Sequence, residues 1–448
     1  MTAWPSLDEA SRRRAGERAY AFAEAAFPIC RSITGDGVRQ TLELLREELP
    51  DLEVHEVPSG EPVLDWTVPK EWNVREAWIK GPDGEKVVDF ADHNLHLLNY
   101  CAPVHRKLEL DELQDHLFSL PDQPTRIPYR TSYWQENWAF CLEHERREAL
   151  RPGTYEVFVD SELKDGALTY GELLLPGGST EEVMVSAHLC HPSLANDNLS
   201  GLGVAAQLFR LLAEQKQRRL TYRLVLVPGT IGAVTWLARH DERLTASPCP
   251  VIGGLVAANL GDAGAFHFKR SRRGNTVLDR AVEKVLNDAD VAHDVTDFMP
   301  FGYDERQYCS PGFDLPVGLL SRSPWGTFAE YHTSGDDLSF IAADPLAGSV
   351  ALYWDVVRLL ESNRVYVNLC PKGEPQLGRR GLYSHIGGGE DGRERQLALL
   401  WVLNQSDGSA SLLDIAERSG MPFDTVRAAA DALLAADLLR EASGEAGA

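Results

Sequence analysis

Apolar and polar residues recur along this chain with two different periods, and the switches between them mark its elements. Between residues 11 and 26 the apolar positions Ala15, Ala19, Phe22 and Ala26 return every three or four residues, which predicts a helix. Thr34-Gly35-Asp36-Gly37 is a turn signal, Val38 to Leu49 repeats the helical period, and Leu52 to Val57 alternates as a strand does. From residue 58 to about 130 the pattern breaks into short aromatic runs separated by Pro, Gly and Asp, with Pro82-Asp83-Gly84 as a hairpin turn. A helix is expected from about Trp138. Tyr155–Val159, Gly171–Leu175, Val183–Val185, Tyr222–Val227 and Val251–Leu260 then read as apolar strands. Between them Leu199, Leu202, Ala205, Leu208, Leu211 and Leu212 keep a helical spacing. Further helices are expected at Asn275–Asn287 and Leu346–Glu361.

Buried strands alternating with helices predict an α/β fold, a mainly parallel mixed sheet flanked by helices, over residues 1–57 and 131–370. The density of Trp66, Trp72, Trp78 and Phe90 makes residues 58–130 a small inserted β domain with its own core. After Pro371 the composition shifts. A Gly387-Gly388-Gly389 turn precedes three short helices, Arg395–Leu403, Ser411–Ser419 and Pro422–Ala436, the layout of a winged-helix-like domain over 371–448.

Composition narrows the class. A chain of 448 residues has room for two or three domains, and its 44% hydrophobic content with ten tryptophans allows a large core. A net charge of −23 argues against nucleic acid and membrane surfaces as partners, since both are anionic. The last long helix carries Arg427 among Asp424, Asp431 and Asp437, so it lacks the cations that neutralise phosphates. A protein partner or self-association is the better expectation for that domain. No stretch approaches the roughly 18 apolar residues of a membrane span, and the first twenty residues hold no apolar signal core. The seven cysteines are odd in number, scattered and never spaced as CxxC, which fits a reducing cytoplasm.

The chemistry concentrates in residues 183 to 206, VMVSAHLCHPSLANDNLSGLGVAA. An apolar strand runs into His188, Cys190 and His191, then Asn196-Asp197-Asn198 opens a helix. In α/β enzymes this is how ligands reach the carboxyl edge of a sheet. Zinc takes imidazole nitrogens and carboxylate oxygens from several strand ends, and His188, Asp197, Asp262 and His332 are candidates for it. His93 and His96 read as structural histidines. HFKRSRRG at 267–274 is a cationic island, either a solvated loop or an anion clamp through Lys269, Arg270, Arg272 and Arg273. The loops around Tyr303 and Tyr331, rich in Gly, Pro and aromatics, suit substrate contact.

On these segments the chain resembles the clan of zinc aminopeptidases, in particular an aminopeptidase-like family with an inserted β domain and a C-terminal winged helix. DWTVPKEW, HNLHLLNY, AHLCHPSLANDNLSG, PGTIGA, KRSRRGN, EYHTSGDD and LWVLNQSDGSASLLDIAERSG carry the resemblance, which spans nearly the whole chain. It implies His188 as first zinc ligand, Asp197 as the carboxylate that bridges two zincs and His332 as last ligand. Asp262 or Asn259 then stands at the end of a later strand. Two departures matter. The clan's adjacent glutamates, one a general base and one a ligand, are Gly229 and Thr230 here, and the Asp that orients the first histidine is Cys190. One zinc is therefore expected, two remaining open, with Glu305 and then Glu330 as replacement bases and His191 as a replacement ligand. The reading is a zinc-dependent hydrolase of an amide or peptide-like bond; its alternative is a metal-binding pseudoenzyme serving as an assembly module.

Overall fold

A computed structural model describes residues 4–382 and 390–442 of the chain. Two compact units result, one from residues 7–279 and 292–351, the other from residues up to 6, 280–291 and 352 onward. The Gly387–Gly389 turn lies outside the described residues.

The larger unit is built on an eight-stranded mixed sheet. Its strands are β1 (Glu53–Pro58), β2 (Ala167–Leu175), β3 (Glu182–His188), β4 (Thr221–Val227), β5 (Val251–Ala257), β6 (Phe266–Lys269), β7 (His293–Thr296) and β8 (Val317–Ser321). They lie in the order β1-β2-β4-β3-β5-β8-β6-β7. The centre β4-β3-β5-β8 is parallel, and antiparallel pairs join it to β2 on one side and β6 on the other. Every residue of β3 and β4 is buried, as expected of strands covered on both faces. The expected α/β class is therefore the observed one.

Helices α1 (Glu9–Ala26), α2 (Asp36–Glu48), α3 (Gly201–Ala213) and α4 (Ile231–Arg239) flank this sheet. Small residues let them approach closely. A Cβ at Gly203 in α3 would stand only 3.0 Å from the Ala19 carbonyl of α1.

The inserted region forms its own antiparallel sheet, ordered Lys86–Asp89, Glu71–Lys80, Thr154–Lys164, Val104–Glu109. Trp72 fills its base, its indole N–H donating to the Cys101 carbonyl at 2.8 Å. Two expectations are corrected here. The strand at 154–164 pairs with Glu71–Lys80, so the insertion runs to about residue 164 and not 130. No long helix starts at Trp138; Phe140–Cys141 is a short strand and only His144–Glu148 is helical. Local aromatic density could not reveal a pairing partner some 80 residues away. His93 and His96 are structural: His93 Nδ1 accepts from the Leu95 N–H, and His96 Nδ1 lies 2.9 Å from the Cys141 carbonyl oxygen.

In the second unit, helices Glu390–Gln405, Leu412–Ser419 and Phe423–Ala435 accompany a three-stranded sheet ordered Asp407–Ser411, Val365–Asn368, Leu439–Glu441. Its central strand begins at Val365, so this domain starts before the expected residue 371. Ser411 and Asp414 form a capping box at the start of the middle helix. Arg427 is held by Asp424 and Asp431 at 3.1 and 3.0 Å. Among the described residues no helix is long and apolar enough to cross a membrane.

Candidate metal centre

Strand β3 delivers His188 to the carboxyl edge of the parallel strands, and the chain then turns back through a loop at residues 195–200, whose backbone is not helical at Asp197 and Asn198, into α3. His188 is 2% exposed and Asp197 is fully buried. His188 Nε2 stands 2.9 Å from Asp197 Oδ1, and His332 Nε2 stands 3.0 Å from Asp197 Oδ2. His191 joins them: its ring centroid lies 4.8 Å from that of His188 and 5.3 Å from that of His332. Ligand atoms of His188, His191 and Asp197 all fall within 4.8 Å of one another. Burial raises the Asp197 carboxyl, but His191, His188 and His332 outweigh it and hold the group well below the usual carboxylate range. Burial pushes the pKa of the His191 imidazole well down. Imidazole nitrogens around an ionised carboxylate are a donor set that zinc takes.

The Asn-Asp-Asn loop is held by buried polar groups on three sides. Asp336 accepts from the Asn196 and Asp197 N–H groups at 2.6 and 2.9 Å. Ser200 Oγ donates to the Asn196 carbonyl and accepts from the Leu260 N–H. Asn198 Nδ2 donates to the Ala257 carbonyl at the end of β5, at 3.0 Å. Gly201 is required where the loop enters α3, since a Cβ there would collide with the Ala257 carbonyl and the Asn198 side chain. His332, Thr230 and Asn259 all take left-handed backbone angles, with φ of 54°, 62° and 53°. Such strain in non-glycine residues gathers at functional sites. Aromatic rings complete the walls. Tyr303 stacks on His188 at 5.1 Å, Tyr331 on His332 at 4.0 Å, and Tyr129 meets His332 edge-on at 5.1 Å. The buried Arg31 guanidinium donates to the His191 carbonyl at 2.9 Å.

Other expected site residues are found elsewhere. Asp262 accepts from Asn196 Nδ2 at 2.8 Å and from Ser323 Oγ and the Gly264 N–H, both at 2.7 Å, so it braces the loop. Asn259 Nδ2 donates to the Tyr303 hydroxyl at 2.9 Å. Glu305 points into a buried ion pair with Lys269 at 2.5 Å, and Glu330 pairs with Arg126 at 2.7 Å. The cationic island does not converge: Arg270 pairs with Asp297, while Arg272 and Arg273 pair with Asp314. The residue that meets the 229–230 loop is Asp304, one position before Glu305. Its Oδ1 accepts from the Thr230 N–H at 2.7 Å, and burial raises its carboxyl to about 6. Its signal lay in the same Tyr-Asp-Glu-Arg stretch. One helical step of about 100° separates the two side chains, and the sequence does not say which of them turns inward.

Residues 20–363 match the family described as a domain of unknown function, DUF4910, and residues 364–441 match a winged helix-turn-helix family. A Clostridium acetobutylicum protein named a putative polysaccharide biosynthesis protein with aminopeptidase-like domain is 48% identical over 425 residues, 95% of this chain and 96% of that one. The crystal structure of a putative peptidase from the same organism superposes with a TM-score of 0.90 at 45% identity, over 96% of this chain and 98% of the other. A Shewanella amazonensis peptidase M28 precursor gives a TM-score of 0.57 at 14% identity, over 79% of this chain and 95% of the other. A Bacillus subtilis zinc aminopeptidase gives 0.56 at 13%, over 76% and 94%. These two show a shared fold, the aminopeptidase-like architecture that the sequence resembles. With its match over 344 residues (20 to 363) and a near-full-length relative, this chain is a member of the DUF4910 family, joined to a C-terminal winged helix-turn-helix domain.

Proposed function

We propose that this chain is a zinc-dependent hydrolase of an amide or peptide-like bond, working with one ion. The observation that carries this reading is the convergence of His188 Nε2 and His332 Nε2 on the two oxygens of the buried Asp197 carboxylate. His188, Asp197 and His332 would hold the ion, with His191 in reach as a further donor. Zinc bound there would polarise a carbonyl and acidify water at an open position. The names of the near relatives, one aminopeptidase-like and one a putative peptidase, agree in kind with this reading.

The remaining steps fall to this chain's own groups. Neither Gly229 nor Thr230 can take a proton from water, and Glu305 and Glu330 are engaged by Lys269 and Arg126. Asp304 is the carboxylate we assign as base, in place of those two: its Oδ1 is anchored on the Thr230 N–H, and its second oxygen would accept the proton. Tyr303, Tyr331 and Tyr129 present ring faces and edges beside the histidines, where they would seat an apolar part of a peptide-like substrate and exclude bulk water. All seven cysteines are free, which fits a reducing cytoplasm. A protein partner or a second copy is the role we assign to the acidic C-terminal domain.

The loss of carboxylates at 229 and 230 favours one rival, a metal-binding protein without turnover. Zinc-loaded protein tested on a panel of peptide and acyl amides decides between them. We expect turnover that drops at least about 100-fold in His188→Ala, together with its ion. Metal-loaded protein that cleaves no amide in the panel would make the rival the better account.

A further inference from the structure

The helix Glu390–Gln405 of the C-terminal unit is apolar on two sides. Ala398, Leu399 and Val402 are buried on one, as a core-facing stripe should be. On the other, Leu397, Leu400, Trp401 and Asn404 follow at i, i+3, i+4 and i+7 and so share a second face. Leu397 is 47% exposed, and Leu400 and Trp401 are half-buried. This second stripe lines a cavity of about 860 Å³ whose walls all belong to this one unit.

A further wall is the segment 371–375. Pro371 and Pro375 restrict its backbone, and Gly373 turns it with φ of 81°. Val367 of the central strand and its register partner Asp407 line the cavity too, with Ser406 beside them. Apolar walls, a few placed polar groups and a volume of several hundred Å³ are the usual make-up of a small-molecule site.

The polar groups narrow the ligand. Ser406 is 2% exposed, and its Oγ is buried with no hydrogen-bond partner among the described residues. Native folds rarely leave such a group unsatisfied without a reason. Asn368 differs: its Nδ2 donates to the Leu403 carbonyl and its Oδ1 accepts from the Cys370 N–H, both at 2.8 Å, so the fold uses it up. Asp407 Oδ1 accepts from the Ser409 hydroxyl at 2.6 Å and the Ser409 N–H at 2.9 Å, and these bonds hold its carboxyl below the usual range. Glu374 is the other charged lining residue; among the described residues no Lys, Arg or His lines the cavity, the nearby Lys372 included. An anionic ligand would meet two carboxylates and no cation. A cationic one meets complementary charge and the face of Trp401.

We propose that this cavity binds a small amphipathic cation, an apolar or aromatic body that carries an ammonium group. The body lies along Leu397, Leu400 and Trp401, and the ammonium donates to Ser406 Oγ and the Asp407 carboxylate. The site does not depend on the metal centre or on the hydrolase reading.

Dansylcadaverine, a fluorescent apolar ring on a five-carbon ammonium tail, is the probe, and N-dansyl-6-aminohexanoate is its near-isosteric carboxylate. Each is titrated into full-length wild type, Trp401→Ala, Leu397→Lys, Asp407→Asn and His188→Ala. The expected result is a saturable rise and blue shift in emission with the amine, and at least about 10-fold weaker binding of the carboxylate. Trp401→Ala and Leu397→Lys should each weaken the amine at least about 10-fold. Asp407→Asn should narrow the preference for amine over carboxylate, and His188→Ala should change nothing. A chain of net charge −23 attracts any cation weakly, so the cavity variants carry the test. Should Trp401→Ala fail to fold by circular dichroism, Leu397→Lys, at an exposed position, decides alone. No saturable signal, equal binding of amine and carboxylate, binding that Leu397→Lys leaves unchanged, or binding lost in His188→Ala would each overturn the proposal.

Discussion

At the scale of single residues, the proposed function rests on Asp304 in preference to its neighbour Glu305. Asp304 and Glu305 are neighbours, yet the Asp304 carboxylate accepts from the Thr230 N–H while Glu305 pairs with Lys269. Burial raises the Asp304 pKa from 3.8 to about 6. Two consequences follow, with opposite signs. A base must be ionised, so the rate should rise as pH rises through about 6. Asp304→Asn should lower kcat by roughly 10²–10⁴ while zinc content is kept, and should erase that acid limb. The raised pKa also means that the folded state binds more protons than the unfolded state between about pH 4 and 6. Stability therefore falls across that window, and the full deficit persists above it. Metal-free Asp304→Asn should accordingly melt higher than wild type at pH 7.5, by a free energy of up to about 3 kcal/mol. A variant that is less active and no more stable would remove Asp304 from this role. Asp336 acts on the loop through its hydrogen bonds. It accepts two buried loop N–H groups, so Asp336→Ala should destabilise by about 2–5 kcal/mol in chemical denaturation and loosen zinc binding.

At the scale of elements, the strand-to-helix passage from β3 through Asn196-Asp197-Asn198 into α3 does the positioning. This was legible in the sequence. An apolar run ending in His188 and a helical period resuming at Leu199 fix both ends of the turn, and the resemblance supplied Asp197 and His332. What the residues could not reveal was tertiary. Asp262 sits at a strand end where a ligand would be expected, but Asn196, Ser323 and Gly264 take both of its oxygens. Arg270, Arg272 and Arg273 look like one clamp in sequence and are divided between Asp297 and Asp314 in space. The strand at 154–164 belongs to the inserted sheet because its register with Glu71–Lys80 is set across a long separation. Gly201 tests the passage itself. Gly201→Ala forces a methyl group against the β5 carbonyl and Asn198, and should cost about 1–3 kcal/mol in denaturant unfolding. A silent substitution there would mean that the loop is not held as tightly as its hydrogen bonds indicate.

At the scale of the whole molecule, charge and the domain pattern set what the chain meets. A formal charge of −23 and a last helix whose Arg427 is held by two aspartates leave the winged-helix unit without a cationic face for phosphates on that helix. A gel-shift assay with duplex DNA at about 100 mM salt should show no complex, because counterion release supplies most non-specific affinity. A shift that weakens steeply with salt would contradict this. The metal centre at the carboxyl edge of β3 remains the claim on which the functional reading rests. Diffraction from zinc-loaded crystals, recorded at the zinc absorption edge, tests it most directly. The account predicts an anomalous peak bounded by His188 Nε2, the Asp197 carboxylate and His332 Nε2. An anomalous map with no peak among those three side chains, from protein that elemental analysis shows to carry zinc, would contradict it.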